Sequence, residues 1–128
     1  MRRGMVIIKL VMALLVLTAG AAVSAGHTRI TGEELTKMIN DGKSIVIVDV
    51  REDWLFKKGH IPGAINIPYE DDSQTRVLKE LSPADRIVFV CHGGPMGDEL
   101  GAILTKNGFK EVYNLKKGMR GWHGALEK

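Results

Sequence analysis

Cysteine is almost missing from this 128-residue chain; it occurs once, as Cys91. One cysteine cannot close an internal disulfide, so the chain is no disulfide scaffold and must hold itself together by burial. The four histidines, His27, His60, His92 and His123, are scattered and lack metal-ligand spacing with one another or with Cys91. Aromatic residues make up only 5%, which leaves the core to aliphatic side chains. A charge excess is missing too, outside the first 25 residues. The chain has 18 Lys and Arg against 15 Asp and Glu, and Arg2, Arg3 and Lys9 account for the whole difference. No basic stripe remains to argue for a nucleic-acid partner. Internal repeats and low-complexity linkers are absent as well, which fits one domain of ordinary size.

The first segment has its own character. Three basic residues lead into the uncharged run "LVMALLVLTAGAA", and small residues stand at Val23 and Ala25. This pattern predicts a secretory signal peptide over 1–25, cut after Ala25, with 26–128 as the domain. The implied location is outside the cytoplasm, most simply the periplasm, with no membrane attachment after cleavage. The alternative is an uncleaved membrane anchor. The uncharged stretch from Leu10 to Ala25 has 16 residues, short of the roughly 20 that span a bilayer comfortably.

Beyond the leader, two periodicities alternate. "TGEELTKMIN" predicts a helix: Thr31 and Glu34 match a capping box, Leu35, Met38 and Ile39 share a face, and Gly42 is a stop. "SIVIVDV" and "RIVFVC" are continuous apolar runs, as in strands covered on both faces. "AINI" and "EVYNL" are further strand candidates. "DDSQTRVLKEL" and "GDELGAILTKNG" read as helices, the second with Leu100, Ile103 and Leu104 inward, and "GMRGWHGAL" as a short closing helix. Strands alternating with helices predict an α/β fold, an open parallel sheet flanked by helices on both faces.

Cys91 falls at the carboxyl end of one apolar strand, the side on which open α/β sheets bind ligands. The glycine-rich loop His92-Gly93-Gly94-Pro95-Met96-Gly97 follows, and a helix is expected near Asp98. Such a loop turns backbone N–H groups inward as an anion cradle, and the helix adds its positive end. That environment favours a thiolate and, one atom further out, a persulfide. Pro95 has no N–H to contribute.

With this loop, "VIVDVRE", "GHIPGAINIP" and "GFKEVYNLKKGMRGW" in hand, the chain resembles a single-domain rhodanese over about residues 29–123. The resemblance implies sulfur transfer by double displacement. Cys91 would be the nucleophile, and the backbone N–H groups of His92, Gly93, Gly94, Met96 and Gly97 would bind substrate. Asp49, Arg51 and His60 would support the loops. It implies a small sulfane donor (thiosulfate or a persulfide), a cyanide or thiol acceptor, a protein acceptor as a further possibility, and no metal or organic cofactor. One departure stands out. Where the family often carries arginine and serine late in the loop, this chain has Met96 and Gly97, and the acids Asp98 and Glu99 follow. A dianionic donor such as thiosulfate is therefore expected to suit the site poorly.

The remaining residues carry plainer expectations. Glu70 to Asp72 read as a solvated helix start, Trp122 as a core anchor, Trp54 as a border of the site mouth, and His27 and His123 as exposed. Two other function classes stand beside sulfur transfer. One is a rhodanese-fold sulfur carrier or binding module without turnover. The other is phosphatase chemistry, which needs an arginine after five residues where this chain has Gly97.

Overall fold

The computed structural model describes residues 26–128; the leader expected over 1–25 lies outside them. Continuous apolar runs build the middle of the sheet. The strands are β1 (Thr28–Ile30), β2 (Val46–Asp49), β3 (Ile65–Asn66), β4 (Arg86–Val90) and β5 (Glu111–Leu115). They pair in the order β1-β5-β4-β2-β3, every pair parallel. The central β4 therefore has neighbours on both edges and apolar layers on both faces, which is why its sequence does not alternate with polar residues.

Four α-helices cover the sheet: α1 (Gly32–Asn40), α2 (Asp53–Lys58), α3 (Ser73–Glu80) and α4 (Pro95–Lys106). Thr31 caps α1 by accepting the Glu34 N–H at 3.1 Å. Gly42, at φ 78, carries the chain out of it. On one face of the sheet Ile87, Phe89 and Cys91 pack with Val77 and Leu81 from the α3 region and Leu100 and Leu104 of α4. On the other, Ile47, Val88 and Val90 meet Leu35 and Ile61, with Phe56, Met119 and Trp122 partly buried against them. Phe89, Leu100 and Leu104 retain no exposed surface; each such side chain contributes about 1.5–3 kcal/mol by leaving water. The observed architecture is the α/β sandwich expected, an open parallel sheet between two helical layers.

Several boundaries differ from the sequence reading. β1 was not expected, since only Ile30 of its three residues is buried. Nor was α2, whose six residues bury none and are too few to display a helical period. The closing helix is one 3₁₀ turn, Gly118–Gly121. α4 starts at Pro95 rather than near Asp98, because Gly94 is its N-cap and proline fits the first helical position, where an N–H has no partner anyway.

Candidate active site

The nucleophile candidate ends the central strand and is almost sealed. Cys91 is 1% exposed and belongs to the apolar layer beneath α3 and α4. Immediately after it the chain turns through Gly94, at φ 123 and ψ −40, a conformation that favours glycine. The turn aims the Gly94 N–H at Cys91 Sγ, 2.9 Å away. Since α4 begins at the next residue, the sulfur lies beside the positive end of a 12-residue helix. The sulfur thus faces one backbone N–H and the N-terminal end of α4.

The cradle is shorter than the sequence indicated. Among the described residues, Gly94 alone of the loop N–H groups is hydrogen-bonded to Cys91 Sγ. Pro95, Met96 and Gly97 already belong to the first turn of α4. The Met96 side chain packs against the apolar layer, Gly97 is buried and Gly93 is exposed. His92 points elsewhere: its Nε2 donates to Glu52 Oε2 at 2.7 Å. Glu52 is the N-cap residue of α2, yet its side chain makes no cap. Hydrogen bonds from its own backbone N–H and from His92 hold its carboxyl below the usual range.

A second turn closes over the peptide of Cys91. The Met119 N–H donates to the Cys91 carbonyl at 2.8 Å. Gly118 comes so close that a Cβ there would collide with the Cys91 oxygen and with the carbonyl carbons of Cys91 and His92. Lys117, before it, has φ 62 and is the one non-glycine residue at positive φ among the described residues.

Asp49 and Arg51 form a buried pair at the end of β2. Arg51 Nη2 donates to Asp49 Oδ2 and to the Gly59 carbonyl, each at 2.8 Å, while the Arg51 N–H donates to Asp49 Oδ1 at 3.0 Å. Asn66 Nδ2 bridges the carbonyls of Asp49 and Arg51 at 2.9 and 3.0 Å. His60 stacks on Phe56, donates from Nδ1 to the Phe56 carbonyl at 2.8 Å, and lies 3.3 Å from Glu127 Oε1. None of these groups contacts Cys91 Sγ; they tie the loops after β2 and α2 to each other and to the C-terminus.

The acids after the loop are engaged. Asp98 accepts from His27 Nε2 at 2.6 Å, from Arg29 Nε at 3.1 Å and from Asn114 Nδ2 at 3.0 Å. Partial burial opposes its ionisation, but the hydrogen bonds from Arg29, His27 and Asn114 outweigh it and hold the carboxyl below its ordinary value. Glu99 accepts from Tyr69 and from Gln74. Asp98 thus has a cationic partner in Arg29, whereas the partners of Glu99 are neutral. His27 is not the exposed residue expected, since its side chain is 13% exposed. His123 is exposed. Trp122 is partly buried against the core, whereas Trp54 is 57% exposed, with the Lys58 ammonium 5.2 Å from its ring centre. Beside the loop lies a cavity of about 370 Å³, with Gly93, Gly94 and Asn114 in its wall together with the cations Arg29, Lys116 and Lys117. Among the described residues no three His, Cys, Asp or Glu side chains gather as a metal-ligand set.

Sequence reasoning missed Glu52, Asn114, Lys117 and Gly118. Only Gly118 left a signal, as a glycine in the short stretch after the last strand.

The sequence model of the rhodanese-like domain family matches residues 31–125. A Bacillus subtilis protein named as a sulfur carrier, YrkF, is 35% identical over 95 residues; the match covers 74% of this chain and 50% of that protein. The chain thus spans about half the length of that relative. The thiosulfate sulfurtransferase GlpE of Shewanella oneidensis is 31% identical over 87 residues, covering 68% of this chain and 84% of its own. A crystal structure of a rhodanese-like domain protein from Staphylococcus aureus superposes with a TM-score of 0.65 at 30% identity, over 78% of this chain and 96% of the other.

Proposed function

Because the chain belongs to the rhodanese-like domain family, we propose that it is a sulfurtransferase working through a persulfide on Cys91. One observation carries the reading: a buried cysteine at a strand end accepts the Gly94 N–H at 2.9 Å beside the start of α4. The Cys91 thiolate attacks the outer sulfur of a sulfane donor. A sulfur–sulfur bond forms as the donor's own breaks, and the leaving group departs with the electron pair, as sulfite from thiosulfate or a thiolate from a persulfide. The new terminal sulfur carries the negative charge, one atom beyond Sγ. A thiol or cyanide acceptor then attacks that sulfur and releases the Cys91 thiolate.

The loop itself carries no lysine or arginine. The reading therefore keeps thiosulfate as a weak donor and favours a less charged persulfide. A thiosulfate KM as low as that of a relative with arginine in the loop, measured side by side, would refute this. A carrier or binding module is the second reading, and the similarity to a protein named as a sulfur carrier favours it. Mass spectrometry separates the two. Protein exposed to a panel of sulfane donors should gain one sulfur at Cys91 and lose it catalytically to cyanide or a thiol. Loading without repeated turnover leaves the carrier reading standing. Cys91→Ser should take up no sulfur while keeping its circular dichroism spectrum. The leader reading sends the domain across the cytoplasmic membrane; N-terminal sequencing of the exported protein tests it, with Gly26 expected first.

A further inference from the structure

Asn114 is a polar side chain where an apolar one belongs. The alternation along β5 turns Val112 towards the layer beneath α3 and α4 and Tyr113 and Leu115 towards the other face. Asn114 falls on the α4 side, opposite Phe89 of β4, and is 1% exposed. A buried amide in such a layer costs stability unless its hydrogens find acceptors. Both do. Nδ2 donates to the Gly94 carbonyl at 2.8 Å and to Asp98 Oδ1 at 3.0 Å. The acceptors fix the orientation of the amide, since a flip would press Oδ1 against a carbonyl and a carboxylate oxygen.

The residue held in this way is the one that touches the sulfur. Gly94 donates its N–H to Cys91 Sγ, and its carbonyl accepts from both Asn114 Nδ2 and the Asp98 N–H. Glycine at φ 123 has wide freedom on either side of that conformation. A carbonyl tied from β5 and from α4 leaves the N–H little choice of direction. The other end of the amide matters as well. A Cβ on Gly97 would fall on Asn114 Oδ1 and Cγ, and Oδ1 has no hydrogen-bond partner among the described residues. Asn114 and a side chain at position 97 therefore compete for one volume. Position 97 is glycine, and an amide from the neighbouring strand takes up the space that a side chain there would need.

We propose that Asn114 is a positioning residue for the sulfur site. It acts through Gly94, fixing the N–H that faces Cys91 Sγ, and it fills the volume that a side chain at position 97 would need. The proposal rests on the sulfur-transfer reading for its purpose, but its geometry concerns the thiol itself.

The test compares the wild type with Asn114→Ala, Asn114→Leu, Gly97→Ser and the double variant Asn114→Ala with Gly97→Ser. Asn114→Leu keeps the volume filled without a donor, so the comparison survives if the alanine variant folds poorly. The readouts are the pH profile of Cys91 alkylation by iodoacetamide, sulfur uptake by mass spectrometry, and thermal unfolding. Loss of the donor should slow alkylation near neutral pH by about three- to tenfold, the worth of one hydrogen bond, and move the profile to higher pH. Gly97→Ser should be the worst single variant and should recover in part when Asn114 is removed, a coupling that independent sites do not show. Profiles for Asn114→Ala and Asn114→Leu that overlay the wild type while the melting temperature falls would overturn the proposal. So would strictly additive effects at positions 97 and 114. If wild type takes up no sulfur from any donor, yet the Asn114 variants still shift the alkylation profile, the sulfur-transfer reading fails and the positioning role stands.

Discussion

Gly118→Ala is the perturbation whose outcome is most constrained by geometry. The added methyl would overlap the Cys91 carbonyl oxygen, and the residue sits at φ 53, where a side chain is strained even in open space. Left-handed conformation costs a non-glycine residue about 1–2 kcal/mol. The turn must also back away, which breaks the 2.8 Å hydrogen bond from Met119 to Cys91 and forfeits about 0.5–1.5 kcal/mol more. The total is about 2–3 kcal/mol, or a fall of roughly 10–20 °C in melting temperature for a domain of this size. Thermal unfolding followed by circular dichroism measures it. Cys91 alkylation should change in the same variant, because the displaced turn is bonded to the peptide of Cys91 itself. Lys117→Gly, one residue earlier, supplies a control of opposite sign. Relief of its left-handed strain outweighs the extra freedom of glycine in the unfolded chain, so the melting temperature should rise by a few degrees at most. A Gly118→Ala protein that melts with the wild type would refute the clash. One that is destabilised with unchanged thiol reactivity would refute the link between the turn and the sulfur.

Two further perturbations bear on the charged groups. Arg51→Ala leaves Asp49, with no exposed surface, as an unpaired buried charge and should cost about 3–5 kcal/mol in urea denaturation. Arg51→Lys should rescue little of it, because one ammonium cannot reproduce the forked contacts to Asp49 and the Gly59 carbonyl. Asp98→Asn tests the pH dependence. The Asp98 carboxyl is held below its ordinary value of 3.8 in the folded state. Its ionised form therefore contributes stability above that value, and the contribution is lost as pH falls through the folded pKa. Urea midpoints between pH 5 and pH 2.5 should fall less steeply in Asp98→Asn than in the wild type. Asp41, lowered to about 2 by hydrogen bonds led by that from Arg86, titrates below that range.

What could be read from the chain beforehand follows from how each feature is encoded. β2 and β4 were visible because burial on both faces leaves a nearly unbroken apolar run, and Cys91 was legible as a strand end for the same reason. β1 and α2 were invisible: a strand with one buried residue and a helix with none have no period to detect. Glycines and a proline hid the true start of α4, since they read equally as loop and as cap. The pairing of Glu52 with His92 and of Asn114 with Gly94 arises from strand order, which places β2 and β5 on either side of β4. No local pattern announces that "YNL" contains the amide that faces the cysteine loop. His27 was misjudged as free because nothing around it in sequence hints at Asp98.

The strand order has a consequence for synthesis. Among the described residues β1, the first strand in the chain, pairs only with β5, the last. A chain that emerges from its N-terminus onward can assemble β2, β3 and β4 and still lack the side of the sheet that β5 and β1 complete. At that stage Cys91 exists without Asn114, without Gly118 and without the Met119 hydrogen bond to its carbonyl. The thiol is thus born bare and reaches its finished surroundings only when the C-terminal quarter arrives.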